Sequence, residues 1–319
     1  MTAPFGRALC AMITPFDGDG TLDLDGAQQL AERLVDGGCD GLVLSGTTGE
    51  SPTTSDAEKS ALVRAVVEAV GARAAVVAGV GSADTAHTAE LARQAERAGA
   101  DGLLVVTPYY SRPPQDALAD HFRTVADATG LPLLLYDIPG RTGTRIEPDT
   151  MIRLAEHPRI AGVKDCAYDL FGTQTVLART ELAYYTGCEE FILPLYALGG
   201  AGYISTVANA APAELRAIID AFDAGDTAGA ALLQRLALPL MEQMMAAGLP
   251  GTVTAKALLT ELGLPSGPVR APLRAADPVR VAELRATYEA LADGARPAIA
   301  DEPGGRLAVP RSSAPASRP

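Results

Sequence analysis

The chain of 319 residues has no tryptophan, few aromatic residues, four cysteines, three histidines and, among its 26 basic residues, only three lysines. Each scarcity excludes something. Cys10, Cys39, Cys166 and Cys188 lie far apart with no C-x-x-C pair, so neither a disulfide framework nor a zinc ribbon is expected; reduced thiols of a cytoplasmic protein fit better. His87, His121 and His157 fall in or at the ends of expected helices and read as surface or capping residues. A zinc-dependent enzyme would want two or three histidines together, so no metal is expected. No apolar run approaches the roughly 18 residues of a membrane span, and no charged region precedes an apolar stretch at the N-terminus. Neither membrane anchoring nor export is expected. G-x-G-x-x-G and G-x-x-x-x-G-K-[ST] are both absent, which removes the main support for a nucleotide-binding open sheet. Cations are scarce too: the net charge is −13, which argues against nucleic acid or an anionic membrane surface as a partner. Lys59, Lys164 and Lys256 are therefore the only candidates for amine chemistry.

What is present is a periodic alternation. Short apolar runs at Ala8–Ile13, Gly41–Leu44, Ala74–Ala78, Gly102–Val106, Pro132–Tyr136, Ile160–Val163, Leu182–Tyr185 and Tyr203–Thr206 recur about every 28 residues, the size of a strand–helix unit. Between them, stretches such as Asp56–Val70, Thr85–Ala98 and Gln115–Ala128 repeat apolar residues at i, i+3, i+4 and i+7, as a helix face requires. The clearest internal echo is Gly-Gly-Cys-Asp-Gly-Leu-Val at 37–43 against Ala-Gly-Ala-Asp-Gly-Leu-Leu at 98–104. Eight such units predict an α/β fold, a (β/α)8 barrel over residues 1–224. Asp226–Ala247, Thr252–Leu262 and Pro278–Ala292 are expected as helices of an appended segment, 225–294. The remaining 25 residues, Ala295–Pro319, hold five prolines and four arginines with little apolar content, the composition of a disordered tail.

Barrel chemistry sits at the C-terminal ends of strands. There the sequence places Ser45-Gly-Thr-Thr-Gly-Glu-Ser51, Thr107-Pro-Tyr-Tyr110, Tyr136-Asp-Ile-Pro-Gly-Arg-Thr142, Lys164, and the ends Tyr-Thr-Gly187 and Ile204-Ser-Thr206. Lys164 follows Ile-Ala-Gly-Val with no polar residue between. Burial there disfavours the ammonium, and a neutral amine can form a Schiff base with a ketone. The competing reading pairs it with Asp165 or another acid at the rim. Tyr136, on the adjacent strand, could move protons for such an amine or merely pack the rim. The hydroxyls and amides of Thr47 and Thr48 could hold a carboxylate, or form an ordinary capped turn. Arg141 could fork onto a second carboxylate, although one arginine among 23 is unremarkable by itself. Lys59 and Lys256, both in helices, read as solvated or structural. Cys166 lacks a histidine partner and reads as a buried free thiol.

Gly46-Thr-Thr-Gly-Glu-Ser51, Thr107-Pro-Tyr-Tyr110, Tyr136-Asp-Ile-Pro-Gly-Arg-Thr-Gly143 and Gly162-Val-Lys-Asp165, in this order, resemble the dihydrodipicolinate synthase / N-acetylneuraminate lyase family of pyruvate-dependent class I aldolases. The resemblance spans residues 5 to 293 and is greater to the synthase branch, especially its actinobacterial members, than to the sialic-acid lyases. It implies that Lys164 forms an imine with pyruvate, whose enamine attacks the aldehyde of aspartate semialdehyde, giving 4-hydroxy-tetrahydrodipicolinate on the route to diaminopimelate and lysine. It further implies a proton relay of Thr47, Tyr136 and a Tyr110 supplied by a neighbouring subunit. Thr48 would take the pyruvate carboxylate, Arg141 that of the semialdehyde, and Gly187 and Ile204 would offer backbone contacts. The implied partners are pyruvate, a small aldehyde and other copies of the chain, as a dimer or a tetramer, and the implied reaction needs no organic cofactor. Two departures stand out: Cys188-Glu189 replaces a common pair of aspartates, and Asp56 and Lys59 stand where lysine-inhibited members carry histidines, so weak or no inhibition by lysine is expected. The alternatives are a paralogue acting on another aldehyde or 2-oxo acid, which Arg141 should discriminate, and a non-catalytic sensing barrel.

Overall fold

A computed structural model of the chain describes residues 3–246 and 248–294. Its eight strands are β1 (Ala8–Ala11), β2 (Gly41–Leu44), β3 (Ala75–Gly79), β4 (Gly102–Val106), β5 (Leu133–Asp137), β6 (Ile160–Asp165), β7 (Ala183–Thr186) and β8 (Gly202–Ser205). All pair in parallel with their sequence neighbours, and β8 pairs with β1, closing the barrel. The expected strands agree with these to within two residues, because a strand buried on both faces reads as an uninterrupted apolar run.

Long helices α1 (Leu24–Asp36), α2 (Asp56–Val70), α3 (Thr85–Arg97) and α4 (Gln115–Asp127) follow the first four strands. The later connections are shorter: α5 (Pro139–Thr142), α6 (Pro148–Leu154), α7 (Leu170–Leu177) and α8 (Ile192–Ala197), then α9 (Pro212–Asp223). The sequence echo has a structural meaning. Gly38 and Gly99 both take positive φ, 97° and 92°, ending α1 and α3 in a conformation other residues resist. The aspartate that follows each ties the turn to the preceding odd strand: Asp40 accepts from the Ala8 amide at 3.0 Å and Asp101 from the Val76 amide at 2.8 Å.

Side chains alternate between two cores. Leu9, Val43, Val77, Leu104, Leu134, Tyr136, Ala183, Tyr185 and Ile204 fill the barrel, while Cys10, Leu42, Val76, Leu103, Leu133 and Val163 face the helices. After α9 come α10 (Thr227–Met241), α11 (Gly251–Glu261) and α12 (Pro278–Gly294). The helix expected over Asp226–Ala247 stays regular only to Met241. Pro239 lies inside it and offers no amide to the preceding turn, and a wider turn follows over Glu242–Ala246. The expected end at Ala247 and the tail Ala295–Pro319 lie outside the described residues. Among the described residues no helix is long and apolar enough to cross a membrane.

Candidate active site

Lys164 is the fifth residue of β6, in register with Tyr136 on β5 and Tyr185 on β7. Alternation turns Gly162 and Lys164 into the barrel and Val163 and Asp165 out of it. The lysine is 6% exposed, and its Nζ lies 4.5 Å from the centre of the Tyr136 ring. Burial pushes the ammonium below its ordinary range; the neighbouring Cys166, Glu189 and Cys188 oppose that shift without reversing it. Pairing with Asp165 does not occur. That carboxylate accepts instead from the Ala167 amide at 2.6 Å, the Thr173 hydroxyl at 2.9 Å and the Tyr184 hydroxyl at 2.8 Å, on the helix side of the barrel. Among the described residues no carboxylate forms an ion pair with Lys164.

Tyr136 is buried at the strand end. Burial raises its phenol well above the usual range, and Cys166 adds to this, while the Thr47 hydroxyl and the Arg141 charge favour the phenolate. Thr47, Tyr136 and Arg141 line one cavity of about 430 Å³ together with Lys59, Asp56, His87 and Tyr109. Arg141 sits in α5, whose single turn starts at Pro139 and ends at Gly143 with φ 73°. That short turn holds an exposed guanidinium over the cavity.

Gly187 follows β7, and its missing side chain is a geometric requirement. A Cβ there would stand 2.5 Å from Cys166 Sγ and 2.7 Å from Lys164 Cε. Thr48 shares a hydrogen bond of 2.8 Å with the Thr206 hydroxyl beyond β8, and Ile204 is wholly buried in the barrel. Tyr110 is not brought to the cavity: it is 95% exposed, with a strained φ of 76°, and its neighbour Tyr109 lines the wall instead.

Other residues depart from their expected surroundings. Lys59 faces the cavity rather than bulk solvent and donates to the Thr54 carbonyl at 2.6 Å. His121 is neither a surface nor a capping residue: it is buried in α4 against Thr85 at 2.9 Å, and burial lowers it to about 4. Lys256, by contrast, is structural, one of its two expected readings: it is fully buried, 2.7 Å from Glu50 at the end of the Gly46–Ser51 loop. Glu189, noted in the sequence only as a departure, is a buried carboxylate that accepts from the Ser205 hydroxyl and the Thr206 amide, both at 2.8 Å, and the Val207 amide at 3.2 Å. It fixes the end of β8 beneath Thr48. Its local signal was only an acid beside a strand end; the partners lie one strand away. Among the described residues no group of three or more histidine, cysteine or acidic side chains could hold a metal.

The sequence pattern of the dihydrodipicolinate synthetase family matches residues 4–291. The chain belongs to this family. It is 76% identical over 291 residues to 4-hydroxy-tetrahydrodipicolinate synthase 1 of Streptomyces coelicolor, covering 91% of this chain and 95% of that one. It is 59% identical over 283 residues to 4-hydroxy-tetrahydrodipicolinate synthase of Acidothermus cellulolyticus, covering 89% and 91%. Among solved structures, DHDPS from Cyanidioschyzon merolae with lysine bound superposes with a TM-score of 0.87 at 36% identity, covering 91% of this chain and 99% of that one. The family relationship thus spans the barrel and the three C-terminal helices alike.

Proposed function

We propose that Lys164 is the imine-forming residue of this lyase, which condenses pyruvate with L-aspartate 4-semialdehyde to 4-hydroxy-tetrahydrodipicolinate, the reaction of lysine and diaminopimelate biosynthesis that its relatives' names state. The observation that carries the assignment is a buried lysine, without an acid partner among the described residues, held against the ring of Tyr136. In the neutral form its amine adds to C2 of pyruvate, and loss of water leaves an imine. Removal of a C3 proton gives an enamine, whose carbon attacks the aldehyde. The amino group of the joined semialdehyde then displaces Lys164 from C2 and closes the ring. Tyr136 and Thr47 carry protons to and from the carbinolamine, and Tyr110 of a second copy completes the relay, a reading that its outward position in a single chain supports.

Thr48 and the Thr47 amide receive the pyruvate carboxylate, Arg141 receives that of the semialdehyde, and Gly187 and Ile204 lend backbone contacts near the bound substrate. Self-association follows from the shared Tyr110; family enzymes are typically tetrameric. Loss of a charge-assisted contact costs about 1.5–3 kcal/mol. Arg141→Ala is therefore expected to raise the KM for the semialdehyde roughly 10- to 100-fold while imine formation with pyruvate stays near wild type. If both steps are unchanged, the substrate assignment is wrong.

A further inference from the structure

Two of the four cysteines follow adjacent strands beside the amine. Cys166 follows β6, two residues after Lys164, and Cys188 follows β7 directly after Gly187. The two strands run side by side, with Asp165 opposite Thr186 and the Gly187 amide donating to the Asp165 carbonyl at 2.8 Å. Strand spacing and a one-residue offset put the two cysteine Cα atoms about 6 Å apart, inside the range a disulfide spans. Cys166 Sγ lies against the Gly187 backbone, where a Cβ would be only 2.5 Å from it and 2.7 Å from Lys164 Cε. The neighbouring Cys166 thiol, and burial after it, hold the Cys188 thiol well above its usual range. Access is unequal: Cys188 is buried and Cys166 is half-buried. Cys10 and Cys39 are buried.

We propose that Cys166 and Cys188 form a reversible thiol–disulfide switch that turns the lyase off under peroxide. The inhibitory effect rests on the assignment of Lys164 as the imine-forming residue; formation of the bond does not. In the first step the Cys166 sulfur attacks hydrogen peroxide, the O–O bond breaks, and a sulfenic acid and one water result. In the second, the Cys188 sulfur attacks the Cys166 sulfur, its proton leaves with the displaced hydroxyl as a second water, and the S–S bond forms. The two sulfurs together lose two electrons and peroxide gains them. A dithiol reductant reverses the change through a mixed disulfide. Closing the bond draws Cys166 Sγ toward Cys188 across Gly187, and the backbone it presses on is the wall against which Lys164 Cε rests.

The test treats the whole purified protein with stoichiometric hydrogen peroxide and follows activity and non-reduced tryptic peptides. The expected result is a cross-link between peptides 165–179 and 180–216, a loss of activity of at least tenfold, and recovery after dithiothreitol. Cys166→Ala and Cys188→Ser each keep activity within about twofold of the untreated enzyme and stay active after peroxide. Should one variant fail to fold, the peptide map of the wild type still decides. Oxidation of Cys166 alone without a cross-link overturns the switch, and so does a complete cross-link with undiminished activity. A cross-link in a protein whose Lys164 takes no pyruvate would preserve the thiol pair and reject the lysine assignment instead.

Discussion

Substitution of Gly187 by alanine isolates the packing around the proposed amine. Gly187 is not among the residues with positive φ, so alanine meets no backbone strain there and acts only through its methyl group. That methyl would stand 2.5 Å from Cys166 Sγ and 2.7 Å from Lys164 Cε. Ordinary carbon contacts lie at about 3.5–4 Å, so each neighbour must retreat by roughly 1 Å. Both contacts are with side chains, and overpacking of this kind costs about 1–3 kcal/mol. A domain of this size then loses fewer than about 10 °C in Tm. The catalytic cost is larger, since misplacing a reacting group by about 1 Å can cost on the order of 100-fold. Gly187→Ala is therefore expected to lose about 100-fold in kcat and in the rate of imine formation while remaining folded by thermal melting. Adding Cys166→Ala removes one of the two collisions and should recover most of the lost Tm but not kcat. Near-wild-type turnover in Gly187→Ala would refute the claim that Lys164 Cε is positioned by this contact.

Other consequences can be measured separately. Lys256→Met leaves Glu50 buried without its partner at 2.7 Å, so urea unfolding should show a loss of about 3–5 kcal/mol; an unchanged midpoint would show that the pair contributes nothing. Burial raises the Asp137 carboxyl to about 7, so the folded chain holds a proton there that the unfolded chain releases near the ordinary carboxylate range. The stability that proton supplies is complete at low pH and is lost as pH rises to about 7. Asp137→Asn should accordingly gain on the wild type by up to about 4 kcal/mol between pH 4 and 8, and a pH-independent difference would contradict it. Free lysine should leave turnover largely unaffected, because Asp56 is paired with His87 at 3.0 Å and Lys59 adds a cation to the same cavity wall; potent saturable inhibition in a steady-state assay is the opposing result.

The eight strands were legible because parallel barrel strands are apolar on both faces, and Lys164 was legible because it interrupts such a run at its far end. The short α5, α6 and α8 were not, since four to seven residues carry too little periodicity to show a face. What escaped the sequence was mostly tertiary pairing. Lys256 sits in an ordinary helical pattern, and only folding reveals Glu50 opposite it. His121 looks like a surface residue of α4 until Thr85 of α3 is placed against its ring. Glu189 seemed a mere variation in a loop, whereas its carboxylate gathers the amides beyond β8. The nearness of Cys166 to Cys188 depends on the register of β6 against β7, which no spacing along the chain records. For Tyr110 the motif and the fold of one chain differ: the motif puts it in a proton relay, and the fold of a single chain leaves it 95% exposed.

The most direct measurement is reduction with borohydride in the presence of pyruvate, followed by mass analysis of peptides. The amine that forms the imine becomes permanently alkylated, and trypsin no longer cuts after it. One adduct is expected, on Lys164, within an uncut peptide spanning residues 160–179, and none on Lys59 or Lys256. An unmodified Lys164 under turnover conditions, or an adduct on another lysine, would contradict it.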